Sequence, residues 1–162
     1  MNILAIDPGL SGAVAIIREN GTIELIDTPT TTIKSGRKNK NIYVESLMVD
    51  ILKKCSPLDT HIGIEAQHSF PGQGVSSMFK LGYGYGLWIG IIVALGFSYT
   101  IVTSQRWKKA TMDGMGKEKA ASCVRAQQLY PSAELFTPRG RALDGRGDAL
   151  LIAVYLKQTY NK

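Results

Sequence analysis

Two apolar runs that each end in a carboxylate constrain this chain more than any other feature. Ile3-Leu4-Ala5-Ile6 leads into Asp7, and Ile62-Gly63-Ile64 leads into Glu65. Short unbroken apolar runs of this kind suit buried strands, so each acid falls at a strand end on the rim of the core. A carboxylate in that place is costly unless a cation, hydrogen bonds or a basic side chain satisfies it. Taken singly, Asp7 also suits a turn before Pro8-Gly9, and Glu65 a buried ion pair.

A third acidic source is Asp144-Gly-Arg-Gly-Asp148, directly before Ala149-Leu150-Leu151-Ile152-Ala153-Val154. Spaced four apart at a helix start, the two aspartates point the same way if the turn is already formed at Asp144. Asp144 alone is equally served by capping, because aspartate satisfies free backbone N–H groups and the helix dipole there. Carboxylates on adjacent strand ends, met by a helix start, make the all-oxygen environment that Mg²⁺ or Mn²⁺ prefers.

The pattern along the chain is strand, strand, strand, helix, strand, helix, strand, then helices. Strands are expected over 2–6, 12–18 and 22–27, the last two joined at Glu19-Asn20-Gly21, since Asn-Gly is a strong hairpin signal. Residues 28–41 are polar, with Lys34, Arg37, Lys38 and Lys40 around Ser35-Gly36, and read as a mobile basic loop. A helix over 42–55, a strand over 61–65, a Gly- and Pro-containing loop over 69–74 and a long buried helix over 75–95 follow. Gly82, Gly86, Gly90 and Ala94 fall four apart on that helix, leaving room for the sheet or a second subunit. Beyond a strand over 99–102 come a short turn through Trp107 and helices over 117–130 and 145–160.

At 162 residues and 44% apolar content the chain is read as one domain, 1–162. Cys55 and Cys123 are its only cysteines, which argues against a disulfide framework or a structural zinc and for a reducing, cytoplasmic interior. A signal peptide is not expected, because the start lacks a basic region and a cleavage site. The uncharged stretch 81–105 is long enough to span a bilayer, but its glycines and the turn at Gly96-Phe97-Ser98 favour a helix and a strand, so no membrane partner is expected.

The formal charge is +6, and the surplus lies wholly in residues 103–162, with 11 basic against 5 acidic side chains. That asymmetry suits a polyanion. Arg106, Lys108 and Lys109 surround Trp107, Lys117 and Lys119 flank a helix start, and Arg139, Arg141 and Arg146 lie before and within the last acidic motif. With Lys38 and Lys40 of the first loop, these are candidate phosphate contacts, opposed only by the plainer reading of a solvated face. Phe70 is a candidate wedge between bases or an ordinary loop anchor.

Ile6-Asp7-Pro8-Gly9, Ile64-Glu65, Lys80-Leu81-Gly82, Gly114-Met115-Gly116-Lys117-Glu118-Lys119 and Asp148-Ala149-Leu150-Leu151-Ile152-Ala153, in this order, resemble the RuvC-like Holliday-junction resolvases, phage-borne members included. The resemblance implies an α/β, ribonuclease-H-like fold, a mixed five-stranded sheet flanked by helices. It also implies a homodimer that hydrolyses phosphodiesters of branched DNA with two Mg²⁺ or Mn²⁺ ions per site, leaving 5′ phosphates, in the cytoplasm of a bacterial host if the chain is phage-encoded. No small-molecule cofactor is expected. By position, Asp7, Glu65 and Asp148 match the family's acids. Asp144 stands four residues before Asp148, where many bacterial members have three, and Phe70 lies further from the glutamate than the family's inserted aromatic. The Asp7-Pro-Gly-Leu-Ser-Gly segment also resembles the first phosphate loop of actin-like ATPases, which need a second, similar lobe.

Overall fold

The computed structural model describes residues 1–36 and 38–160. Arg37 of the expected basic loop lies outside the described residues. A mixed sheet, ordered β3-β2-β1-β6-β7, forms the centre. Strand β1 (Asn2–Asp7) pairs antiparallel with β2 (Ala13–Ile17), and β2 with β3 (Ile23–Asp27). The β2–β3 turn is closed by Gly21 at φ 87° and by the Asn20 side chain, which accepts from the Thr22 N–H and hydroxyl. On its other edge β1 runs parallel to β6 (Thr60–Glu65), which runs parallel to β7 (Ser98–Val102). The described residues make one such sheet core, not the two lobes of an actin-like ATPase.

Strand alternation assigns the two faces. Ile3 and Ala5 point to one side, where they join Leu150, Leu151, Ile152 and Trp107 in a single core. Leu4 and Ile6 point to the other, against Met48, Leu52, Trp88 and Ile92. The first side is sheathed by α5 (Asp144–Tyr160), with α3 (Ser104–Thr111) and α4 (Ala121–Leu129) packed on it. Helix α5 is apolar most of the way round because it is enclosed most of the way round. The second side carries α1 (Glu45–Leu52) and α2 (Val75–Ala94).

Four expectations need correction. Residues 28–41 are not a loop: β4 (Thr30–Ser35) and β5 (Lys38–Tyr43) form a separate two-stranded ribbon around Gly36 at φ 62°. Its β-branched Thr30, Thr31, Thr32 and Ile33 favour strand, and Thr32 donates to the Asn41 side chain at 2.8 Å; with both faces largely solvated, no apolar alternation marks it. The ribbon takes Ile42 and Tyr43, so α1 begins later than expected. Trp107 sits in α3 rather than a turn, sharing that helix's buried face with Thr111, while Lys117 and Lys119 precede α4 instead of opening it. Lastly, α2 is not a buried helix. It is long and apolar enough to cross a membrane, yet Trp88 and Ile92 are fully buried in the core on this second side of the sheet and only Gly84 joins them among its buried residues. The sheet covers one side of α2, and composition alone does not say which side of an all-apolar helix is covered.

Candidate active site

The acidic groups meet because of strand register. Ile6 lies beside Ile64 in the parallel β1–β6 pair, so Asp7 and Glu65, one residue on, end adjacent strands. Alternation puts Asp7 on the side of Ala5 and Ile3, and Glu65 on the side of Gly63, where any Cβ would overlap Leu156 of α5. Both acids therefore face the layer that contains α5. Helix α5 starts at Asp144 itself, so Asp144 and Asp148 are one turn apart on one face.

Glycine lets that helix end come close. A Cβ on Gly145 would stand 2.5 Å from the Ser11 carbonyl oxygen, and one on Gly12 would overlap the Asp7 carbonyl. A Cβ on Gly147 would lie 2.9 Å from the Cys123 nitrogen of α4. The first turn of α5 thus docks directly on the β1–β2 turn, bringing Asp148 to Asp7, with Asp144 beside Asp148.

Electrostatics confirm the crowding. Burial pushes the Asp7 carboxyl up to about 7, and the Glu65 and Asp148 carboxylates add to the rise against the Gly9 N–H and Lys108. Glu65 and Asp148 are also raised, chiefly by burial; Trp107 lowers the first through a hydrogen bond, Ser122 the second. The Trp107 indole N–H donates to Glu65 Oε1 at 2.9 Å. Asp144 Oδ2 lies 3.3 Å from the exposed Lys119 ammonium, while its buried Oδ1 has no hydrogen-bond partner. Cys123, pushed up to about 11 by burial and by the two aspartates, stays a thiol.

An all-carboxylate set with mutual repulsion, raised proton affinities and an orphaned buried oxygen fits a hard divalent cation, which would relieve each of these. Among the described residues, no three His, Cys, Asp or Glu side chains stand close enough together to hold a metal ion as they are placed. The site is an open cluster of acids.

The predicted basic residues divide. Lys108 lies 5.1 Å over the Trp107 ring and acts electrostatically on Asp7, Glu65 and Asp148. With Lys117, Lys119 and Asp148 it lines a cleft of about 350 Å³. Arg106, Lys109, Arg139 and Arg141 are exposed. Arg146 is engaged elsewhere: it is paired bidentately with Asp27 at 2.6 and 3.0 Å and also bonds the Glu134 carbonyl. Phe70 is 65% exposed in the segment between β6 and α2. Lys38 and Lys40 lie on β5 beside a separate groove. Sequence reasoning missed Trp107 and Ser122 as partners of the acids; the one signal was a tryptophan alone on an otherwise polar helix.

No family model matches this chain. It is 30% identical over 92 residues, 57% of its length, to the chloroplastic Holliday junction resolvase MOC1 of Chlamydomonas reinhardtii, and the match spans 10% of that protein. Across 96% of the chain and 91% of the other it superposes on T. thermophilus RuvC in complex with Holliday junction substrate, with TM-score 0.61 and 13% identity. The chain has the RuvC fold. A second Thermus thermophilus RuvC structure gives TM-score 0.58 at 12% identity over 99% and 97% of the two chains. The mixed five-stranded sheet flanked by helices that the motifs implied is therefore present, and it is the fold of these RuvC structures.

Proposed function

We propose that this chain is a divalent-metal-dependent endonuclease that nicks branched DNA and resolves Holliday junctions by paired cuts as a homodimer. One observation carries the reading: Asp7, Glu65 and Asp148, from three separate elements, gather at one end of a RuvC-type sheet with carboxyls held above their ordinary proton affinity, and Asp144 stands one helical turn before Asp148 with a buried, unpartnered oxygen. Its similarity over 92 residues to a protein named as a Holliday junction resolvase supports the substrate class.

Asp7, Glu65, Asp144 and Asp148 would hold the ions, which when bound activate water for in-line attack and stabilise the leaving oxygen. The residues themselves position and tune. Trp107 fixes the Glu65 carboxylate in one orientation. Lys108 and Lys119 offset repulsion among the acids and, with Lys117, face the cleft through which a phosphate would approach Asp148. Arg106, Lys109 and Arg141 supply exposed charge for strand contacts, which fall steeply with salt.

What supports a second copy is the open side of the C-terminal half of α2, where Gly86 and Gly90 meet nothing and Val93 is exposed. The deciding experiment is cleavage of a labelled four-way junction with Mg²⁺. Asp7→Asn and Glu65→Gln are expected to abolish cutting and keep junction binding; cutting by both at the parental rate overturns the site. A parent that binds the junction without cutting it would leave a junction-binding protein.

A further inference from the structure

We infer that the cleft between the β4–β5 ribbon and the N-terminal half of α2 receives an unpaired nucleotide of the DNA strand, its base stacked on Phe79 and Tyr83 and its phosphate held by Lys40 and Lys80. The inference rests on the DNA-cutting reading and adds a second seat for the strand, apart from the four acids.

The cleft has a volume of about 430 Å³ and is lined by Leu10, Lys40, Tyr43, Phe79, Lys80 and Tyr83, with Glu45 at its edge. It continues past Leu10 and Lys80 into a groove formed by Ser35, Lys38 and Asn39. Phe79 is 72% exposed and lies nearly parallel to Tyr83, with ring centroids 6.3 Å apart and planes 12° apart. Tyr83 is held from behind: its hydroxyl donates to Glu45 Oε1 at 2.9 Å, and Tyr43 tilts against its ring at 6.1 Å. The polar tip of Tyr83 is thus satisfied while aromatic surface stays open to water.

Charge says what that surface is for. Lys38, Lys40 and Lys80 border the two grooves, and none is ion-paired among the described residues. The one acid in the lining, Glu45, is already bonded to Tyr83. Open aromatic faces between free ammonium groups are the combination that binds single-stranded nucleic acid with little regard to sequence. A base inside a duplex already has neighbours on both faces, so an unpaired nucleotide is the species that can use the ring. An apolar patch on a second copy would leave the lysines unanswered.

Position ties the cleft to the acids. Leu10 follows Asp7-Pro8-Gly9, and the Tyr43 hydroxyl donates to the Pro8 carbonyl at 3.3 Å. Gly84 permits this contact, since any Cβ there would overlap the Tyr43 hydroxyl. One wall therefore serves both sites, and a strand parted from its complement at a branch can pass from Asp7 over Leu10 onto Phe79.

The test is made in the Asp7→Asn background, so that the DNA stays intact. Binding of two DNAs is measured by anisotropy: a fully paired four-way junction, and a fork whose unpaired tails carry 2-aminopurine. Phe79→Ala is expected to weaken fork binding by about 5- to 100-fold and to abolish the 2-aminopurine quenching, while junction binding changes less than about twofold and sedimentation is unchanged. Phe79→Leu, which keeps apolar bulk without the ring, should behave like the alanine variant, and Lys80→Gln should weaken fork binding and make its salt dependence shallower. Unaltered fork binding and quenching in Phe79→Ala would overturn the inference. So would a drop in sedimentation coefficient, which would assign the ring to a second copy. A parent that binds neither DNA would instead bring down the DNA-cutting reading beneath it.

Discussion

The two sides of the sheet solve opposite problems. On the α5 side every layer is closed: Leu150, Leu151, Ile152 and Ala153 are fully buried, and Gly12, Gly145 and Gly147 let backbones come within a distance no side chain would allow. On the α2 side Trp88 and Ile92 anchor the helix while Phe79, Tyr83 and Val93 stay in water. Rigidity is concentrated where four carboxylates must be forced together against their repulsion, and openness where a partner has to be met. A site made of like charges needs a scaffold that cannot relax away from it.

That contrast is broken most severely at Gly145. Its replacement by valine must push α5 off the β1–β2 turn, and we expect a loss of roughly 3 kcal/mol or more, read by chemical denaturation, together with complete loss of junction cleavage. A cleaving, fully stable Gly145→Val protein would show that α5 does not position the acids.

Next in size is a stabilising change. Asp7 binds its proton more tightly in the folded protein than in the unfolded chain, so the metal-free fold loses stability as pH rises from about 4 through about 7. Asp7→Asn removes that loss. In EDTA at pH 8 it should be more stable than the parent by roughly 1–3 kcal/mol, with the gap closing at pH 4. Mg²⁺ should raise the melting temperature of the parent and leave that of the variant unmoved; equal melting curves at both pH values would contradict the assignment.

Trp107→Phe is expected to cost about 1–2 kcal/mol, since a smaller ring still fills the core. Without the indole N–H, which lowers the proton affinity of Glu65, the rising limb of the pH–cleavage profile should move to higher pH, and cleavage at pH 7 should fall about tenfold. An unshifted profile would make Trp107 a packing residue alone. The smallest effect on the fold belongs to the open side. Gly86→Glu on α2 should change unfolding free energy by less than about 1 kcal/mol while abolishing self-association in sedimentation; a protein that still associates would place the second copy elsewhere.

Much of this was legible in the residues. Asp7 and Glu65 could be placed at strand ends because Ile3-Leu4-Ala5-Ile6 and Ile62-Gly63-Ile64 admit little else, and the Asp144–Asp148 turn because the apolar run after it must be a covered helix. The β4–β5 ribbon was hidden because a strand solvated on both faces has no alternation to read. The exposure of α2 was hidden because glycine and apolar residues surround it on all sides. Arg146 looked like a cation for DNA until its partner, Asp27, arrived from 119 residues away; such long-range pairs leave no trace in spacing.

The account's central claim is that these four acids form one cation site, and titration calorimetry of Mn²⁺ at pH 8 tests it most directly. We expect saturable binding by the parent that disappears in Asp7→Asn and in Glu65→Gln while both variants keep the parental circular dichroism spectrum. Binding of the same affinity and stoichiometry in all three proteins would contradict it.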